Sequence, residues 1–68
     1  MHQIQTGDHV SVRDSKGRSH RRRALTGVVP GYDFDVVWAC REEEWREAAE
    51  SERAPEGVPW PAWDVTPE

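Results

Sequence analysis

The longest run of apolar residues in the chain lies within residues 34–40, near its centre. This stretch, Phe-Asp-Val-Val-Trp-Ala-Cys, is rich in β-branched and aromatic residues and follows the turn-forming pair Pro30-Gly31. Such a composition beside turn residues predicts a β-strand. Apolar residues occupy both alternating sets of positions, which predicts that the strand is covered on both faces. We therefore expect residues 34–40 to be the central strand of the fold.

Two segments before this strand carry further strand patterns. Residues 8–13 alternate polar residues with two valines, which predicts a half-buried strand with the valines inward. Residues 24–29 predict a second strand, in which Gly27 marks a bulge or a tight bend. Proline followed by glycine fits the centre of a type II turn, so Pro30-Gly31 is expected to join this strand to the central one as an antiparallel hairpin.

The period of the pattern changes after the central strand. Residues 41–53 place Trp45, Ala48 and Ala49 at helical spacing, and glutamates fill the first turn, where the helix dipole favours them. Residues 63–65 follow a proline-rich stretch and predict a short closing strand at the sheet edge. The chain is therefore expected to have a mainly β, α+β fold: a small, partly open antiparallel barrel with one helix before its last strand.

Size and composition limit what this fold can contain. A chain of 68 residues is the size of one domain with a small core. Its single cysteine, Cys40, excludes an intrachain disulfide framework and fits a reducing compartment. No apolar run approaches the roughly 20 residues needed to cross a membrane, and residues 1–5 lack the features of a signal peptide. These observations predict a single cytoplasmic domain over residues 1–68 that does not enter a membrane.

The predicted strands resemble a known family of barrels. The opening over residues 7–12, Gly-Asp-His-Val-Ser-Val, is similar to the Gly-Asp-x-Val start of small bacterial SH3-like barrels of the Tudor and KOW kind. Residues 61–65, Pro-Ala-Trp-Asp-Val, resemble their closing turn and final strand. The helix over residues 41–53 departs from the family, which usually has a short turn there. The resemblance implies an SH3-like fold that binds peptides, modified side chains, or RNA and ribosomal surfaces.

The first candidate site is an aromatic and acidic surface near the turn and the closing strand. Aromatic faces hold cations, and aromatic grooves accept proline-rich peptides, so such a surface would suit a protein or peptide partner. The alternative is that these rings form the core of a domain too small to have another, with at least one tryptophan mostly buried. The candidate residues are Tyr32, Asp33, Asp35, Trp60 and Trp63.

The second candidate site is a basic segment over residues 18–23, which follows a turn predicted at residues 14–17. This polar segment is expected to be an exposed loop or the lip of a long hairpin. Residues 1–23 carry a net charge of +4 and residues 24–68 a net charge of −8. Arginines grip phosphates well, but nucleic-acid-binding modules are usually basic overall. The loop would equally pair with the chain's own glutamate-rich helix or with an acidic protein. Its arginines are Arg18, Arg21, Arg22 and Arg23.

The sequence contains no pattern typical of catalysis or metal binding. His2, His9, His20 and Cys40 lack the spacing of metal ligands, so we expect no metal, no cofactor and no enzymatic activity. The preferred prediction is a non-catalytic binding module with a protein or peptide partner, present as a monomer or a weak homodimer. Two alternatives stay open: an RNA- or ribosome-associated module that uses residues 18–23, and a self-associating structural protein.

Overall fold

The structure is a computed structural model that describes residues 3–68; Met1 and His2, one of the histidines without metal-ligand spacing, lie outside the described residues. It has the predicted class, mainly β with one helix. The elements in chain order are β1 (His9–Arg13), β2 (Ser19–Ala24), β3 (Val29–Pro30), β4 (Asp35–Cys40), α1 (Glu42–Glu50), β5 (Val58–Pro61), a 3₁₀ turn (Ala62–Asp64) and β6 (Val65–Pro67).

Strand β4 is the centre of the sheet, as its apolar sequence predicts. It pairs with β5 along one side, and with β3 and β2 at the two ends of the other side. From β2 the sheet continues through β1 to β6, and all pairings are antiparallel. The sheet curls into a half-barrel, in agreement with the expected partly open barrel.

The core is small and consists mostly of valines on the inner face of the sheet. Val10 and Val12 have no exposed surface, which confirms the inward direction predicted for β1. Full burial of a valine side chain contributes roughly 1.5–3 kcal/mol, so a few such residues carry much of the stability. Ile4 and Trp60 pack against this cluster. The buried cluster itself comprises Val10, Val12, Ala24, Val37 and Val65.

The arginine-rich segment is mostly a strand, so of the two alternatives predicted for residues 18–23 the exposed loop is wrong and the long hairpin is nearer, because β2 forms a hairpin with β1. Residues 19–24 form β2, which lies between β1 and β4. The turn predicted at residues 14–17 is confirmed: Gly17 donates its N–H to the Asp14 carbonyl at 3.0 Å and has a φ of +80°. This tight turn returns the chain directly alongside β1, and that pairing overrides the low strand propensity of the polar residues.

The strand predicted over residues 24–29 is broken in the structure. Ala24 ends β2, and the next four residues bend sharply before β3 begins at Val29. Gly27 lies in this bend, as predicted, and a Cβ there would come within 2.7 Å of the Ile4 carbonyl oxygen. The bend is the corner at which the chain leaves β2 and turns towards β3.

The predicted hairpin between β3 and β4 is confirmed, but its turn is not type II. Gly31 does not have the positive φ that a type II turn requires. Its N–H instead donates to the Phe34 carbonyl at 3.0 Å, and a side chain at Gly31 would collide with that carbonyl oxygen. Glycine is therefore needed for close backbone approach.

Helix α1 is shorter than predicted and ends at Glu50 in place of residue 53. Its C-terminus is a Schellman motif, in which Arg53 donates to the Ala48 carbonyl at 3.0 Å and Glu52 donates to the Ala49 carbonyl at 3.3 Å. Glu52 takes the left-handed conformation that this motif requires, with a φ of +54°. None of the helical structure within residues 3–68 is both long and apolar enough to cross a membrane.

The closing strand lies two residues later than predicted. Residues 63–64 belong to the 3₁₀ turn, and β6 covers residues 65–67. An additional strand, β5, precedes the turn and pairs with β4 despite its two prolines. The helix is therefore followed by two short strands, with β6 paired to β1.

Candidate functional site

Two exposed aromatic rings contact each other at the start of β4. Phe34 immediately precedes β4, and Trp63 lies in the 3₁₀ turn after β5. The register that pairs Val36 with Pro61 brings these two residues together, because each lies two positions beyond the paired residue. Their ring centroids are 4.8 Å apart, and the ring planes are inclined by 55°. We call Phe34 and Trp63 the aromatic pair.

The aromatic pair is largely open to solvent. Phe34 is 43% exposed and Trp63 is 66% exposed. Aromatic side chains are the largest apolar groups available to a small core, so a pair left at the surface is a feature to be explained. Exposed apolar clusters commonly mark surfaces that contact another molecule.

The remaining candidates at the β3–β4 turn lie next to Phe34 in the chain. Tyr32 is fully exposed. Asp33 and Asp35 flank Phe34, are both exposed, and form no ion pair within residues 3–68. The structure thus brings Trp63 against Phe34, a residue that the sequence assigned to the covered face of the central strand, while Asp33 and Asp35 adjoin Phe34 only along the chain.

Trp60 is separate from this surface. It pairs with Val37 on the inner face of the sheet and packs against the core. It is mostly buried, as expected for at least one of the two candidate tryptophans, and its indole nitrogen has no hydrogen-bond partner. Its truncation would therefore affect stability, and its accessible part faces a different groove, which it lines with Arg22 and Glu47.

The outer face of β4 is only partly covered, in contrast to the prediction that both faces are covered. Val36 is buried, but Trp38, two residues further along this face, is 40% exposed. Trp38 lies opposite Pro59 and lines a shallow groove with Leu25 and Pro55. The exposed apolar surface of this face therefore consists of Phe34, just before β4, and Trp38, in its middle, with buried Val36 between them and buried Cys40 at the end.

The four candidate arginines do not form one continuous surface. Alternation along β2 places Arg21 and Arg23 on the outer face and Arg22 on the inner face, opposite Val10. Arg21 donates to Glu68 at 2.9 Å, and Arg23 donates to the helix residue Glu42. Pairing with the chain's own glutamate-rich helix, one of the sequence-based alternatives, is thus observed for Arg23. Arg18 lies outside the strand and is exposed.

Glu42 joins the start of α1 to β1 and β2. Its carboxylate accepts hydrogen bonds from Arg23 at 2.9 and 3.1 Å and lies 3.0 Å from Nε2 of His9. Hydrogen bonds from Arg23, and then from His9, hold the pKa of Glu42 below its usual range. Arg23 also donates to the Gly7 carbonyl at 2.9 Å and stacks over Trp45, with the guanidinium 5.2 Å from the ring centroid. We call Trp45, Arg23 and Glu42 the Trp45 cluster.

The remaining side chains of chemical interest within residues 3–68 are a cysteine and a histidine. Cys40 is unpaired and only 4% exposed, and burial raises the pKa of its thiol, which disfavours the reactive thiolate. His20 lies 2.8 Å from Asp14, but that carboxylate also accepts the N–H groups of Lys16 and Arg18 in the β1–β2 turn. Among residues 3–68, no three side chains of the metal-binding types are grouped to hold an ion.

Proline limits the hydrogen-bonding capacity of two sheet edges. Gly31 donates across the hairpin to Phe34, and N–H directions alternate along a strand, so the nitrogen of Pro30 faces away from β4. Strand β5 pairs with β4 although Pro59 and Pro61 have no N–H, so its donors to β4 come from the other set of residues. The outward side of β3 and of β5 therefore carries proline nitrogens where a new strand would need donors.

The third edge of the sheet, on β6, also carries a proline nitrogen on its outward side. Glu68 donates to the His9 carbonyl of β1 at 3.2 Å, which turns the nitrogen of Pro67 outward. The N–H of Val65 is already bonded to the Ala62 carbonyl within the 3₁₀ turn. Edges without free donors resist the addition of another strand, so these edges favour recognition through side chains.

Comparisons with protein-family models, with curated proteins and with solved structures gave no match.

Proposed function

We propose that this chain is a non-catalytic binding module that holds a protein or peptide partner on the aromatic pair. One observation carries the proposal: the rings of Phe34 and Trp63 pack together, with their centroids 4.8 Å apart, while both side chains remain largely exposed. Tryptophan and tyrosine are among the residues that dominate binding energy when a partner buries them. Trp63, together with Tyr32 in the adjoining turn, supplies this type of anchor.

The surface around the aromatic pair is held in place by the fold. The Gly31–Phe34 hydrogen bond fixes the turn before β4, and the N–H of Val65 closes the 3₁₀ turn that carries Trp63. A surface ordered before binding loses less conformational entropy when the partner docks. Rigid placement of exposed rings is thus consistent with recognition.

The wider properties of the chain agree with this role. A binding function is also what the resemblance to small SH3-like barrels implies, and we propose that the half-barrel belongs to that kind. The buried, unpaired Cys40 fits a reducing compartment, so the proposal places the module in the cytoplasm. The RNA-associated alternative has less support, because Arg21 and Arg23 of the basic segment already pair with acids of the chain.

The proposal is tested by capture of partners from an extract of the native cells on the immobilised chain and on two variants. Trp63→Ala removes the more exposed ring of the aromatic pair. Val58→Ala is the matched control, because Val58 is also an exposed apolar residue but lies at the opposite end of β5. Loss of a hot-spot tryptophan costs about 2 kcal/mol or more, equivalent to at least roughly 30-fold in affinity.

The expected result is one set of proteins that the original chain and Val58→Ala retain and Trp63→Ala loses. Circular dichroism of each variant shows whether the fold persists. Retention of the same proteins by all three chains would contradict the proposal. So would unfolding of Trp63→Ala, because the ring would then be part of the core.

A further inference from the structure

The two carboxylates next to Phe34 in the chain have no ion-pair partner among residues 3–68. Asp33 and Asp35 lie on either side of Phe34 and form no ion pair in the described part of the chain. Arg13 lines a small groove together with Trp63, and its guanidinium forms an ion pair with the Asp64 carboxylate, with 3.5 Å between Nη2 and Oδ1. The unpaired groups that flank Phe34 are therefore both negative.

Elsewhere in the molecule, a tryptophan ring and a carboxylate together hold a cation. In the Trp45 cluster, the guanidinium of Arg23 stacks on the indole ring and donates two hydrogen bonds to the Glu42 carboxylate. Arginine suits such a position because it stacks on aromatic rings and pairs with carboxylates through its planar fork. The aromatic pair has an exposed ring, unpaired carboxylates stand on either side of Phe34 in the chain, and among residues 3–68 no cation stacks on Trp63.

The sheet edges determine how a partner segment is held. Outward prolines on β3, β5 and β6 leave these edges without the donors that strand addition needs, so a partner gains little from its own backbone there. Its side chains must then supply the contacts. The excess negative charge of residues 24–68 also attracts a cationic segment from a distance.

We infer that the aromatic pair binds an arginine- or lysine-bearing segment of a partner protein, recognised through its side chains and not by addition of a strand. This inference rests on the proposed function and names the chemistry of its partner. One cationic side chain lies over the Trp63 ring, and Asp33 and Asp35 pair with a neighbouring cation of the same segment.

The test uses an eight-residue peptide of alternating arginine and serine, and a second peptide in which citrulline replaces every arginine. Citrulline keeps the shape of arginine but has no charge. Titration of each peptide into the full chain at low salt measures its dissociation constant. We expect the arginine peptide to bind at least about tenfold more tightly, and its affinity to fall as salt is added.

Two variants of the chain locate the binding. Asp33→Asn together with Asp35→Asn is expected to weaken the arginine peptide by roughly fivefold and to reduce its salt dependence. Trp63→Ala is expected to abolish its binding. Amide hydrogen exchange along β3, β5 and β6 should remain unchanged by the peptide, because no strand is added.

Equal affinity for the two peptides, or an unchanged affinity in the aspartate variant, would overturn the inference. New protection of backbone amides along a sheet edge would show that the segment binds as an added strand, which contradicts recognition through side chains. Binding of neither peptide would also overturn it. In each case the capture experiment decides the proposed function separately, because it requires only that Trp63→Ala loses a partner. Concentration-dependent sedimentation that Trp63→Ala abolishes would identify a second copy of the chain as the occupant and would likewise overturn the inference.

Discussion

The two ends of β4 carry similar residues but differ in how their charges are paired. At the Cys40 end, the Trp45 cluster joins a tryptophan, an arginine and a glutamate within one chain. At the Phe34 end, the ring of Trp63 is mostly exposed, and the two nearby aspartates form no ion pair within residues 3–68. The difference separates two roles for the same chemistry. Where the chain supplies its own cation, the residues stabilise the fold; where it does not, we propose that a partner supplies it.

Truncation of the two tryptophans should have the largest and most unequal effect. Trp45→Ala removes a ring that stacks against Arg23 and lies next to Gly7, so we expect the free energy of unfolding to fall by about 2–3 kcal/mol. Trp63→Ala removes a mostly exposed ring and should cost about 1 kcal/mol or less. Urea titration of both variants measures the two values. Equal losses of unfolding free energy would contradict the idea that Trp45 stabilises the fold and that Trp63 serves recognition.

Acid should weaken the helix end of the molecule. Arg53, and then the N–H of Glu56, donate to Glu44 and lower its pKa from 4.5 to about 2. The pKa of Glu42 is lowered by Arg23 and His9. A carboxyl with a lowered pKa in the folded state stabilises the fold fully above its unfolded pKa and loses that contribution as pH falls.

We therefore expect the thermal midpoint to fall as pH decreases from 4.5 towards about 2. Glu44→Gln and Glu42→Gln should each flatten this dependence, as followed by circular dichroism. Asp33→Asn serves as the control, because Asp33 forms no ion pair among the described residues. A pH profile that neither glutamine variant changes would show that these contacts do not contribute to stability.

A smaller effect is expected at the end of α1, the helix that carries Trp45. Glu52 has a φ of +54°, a conformation that costs an ordinary residue about 1–2 kcal/mol and glycine almost nothing. Glu52→Gly should raise the free energy of unfolding by about 0.5–1 kcal/mol after the extra flexibility of the unfolded chain is subtracted. Glu50→Gly, within the helix, should lower it by a similar amount. Urea titration distinguishes the two signs, and destabilisation by Glu52→Gly would contradict the assignment of the Schellman motif.

The smallest effect on stability is expected at the Phe34 end. Replacement of Asp33 and Asp35 by asparagine removes no ion pair within residues 3–68, so the free energy of unfolding should change by less than about 0.5 kcal/mol. Binding of the arginine peptide should nevertheless weaken. A loss of stability as large as that of Trp45→Ala would mean that these carboxylates serve the fold.

The sequence predicts the parts of the fold that depend on strong local patterns. The apolar composition of β4, the alternation in β1 and the helical spacing around Trp45 all produce the expected elements. Strand β2 is missed because His20 to Arg23 have no apolar pattern, and their pairing partner determines their structure. The tight turn at residues 14–17 was the available signal, because a chain that reverses directly after β1 must run back alongside it.

The candidate site is predicted in part for similar reasons. Trp60 and Trp63 are grouped by composition, but Trp60 lies in β5 and Trp63 lies in the 3₁₀ turn that follows, so strand alternation does not predict their separation. Phe34 is missed because apolar residues at the end of a central strand resemble core residues. Its contact with Trp63 depends on the register between β4 and β5, and no local pattern reports that register.

The most direct test of the account compares the two ends in one experiment. Each of the four tryptophans gives an indole N–H signal in a two-dimensional NMR spectrum. On titration with the arginine peptide, we predict that the Trp63 signal shifts in a saturable, salt-dependent manner while the Trp45 signal, whose ring is already stacked by Arg23, stays in place. A Trp63 signal that does not move, or a Trp45 signal that moves as far, would contradict the account.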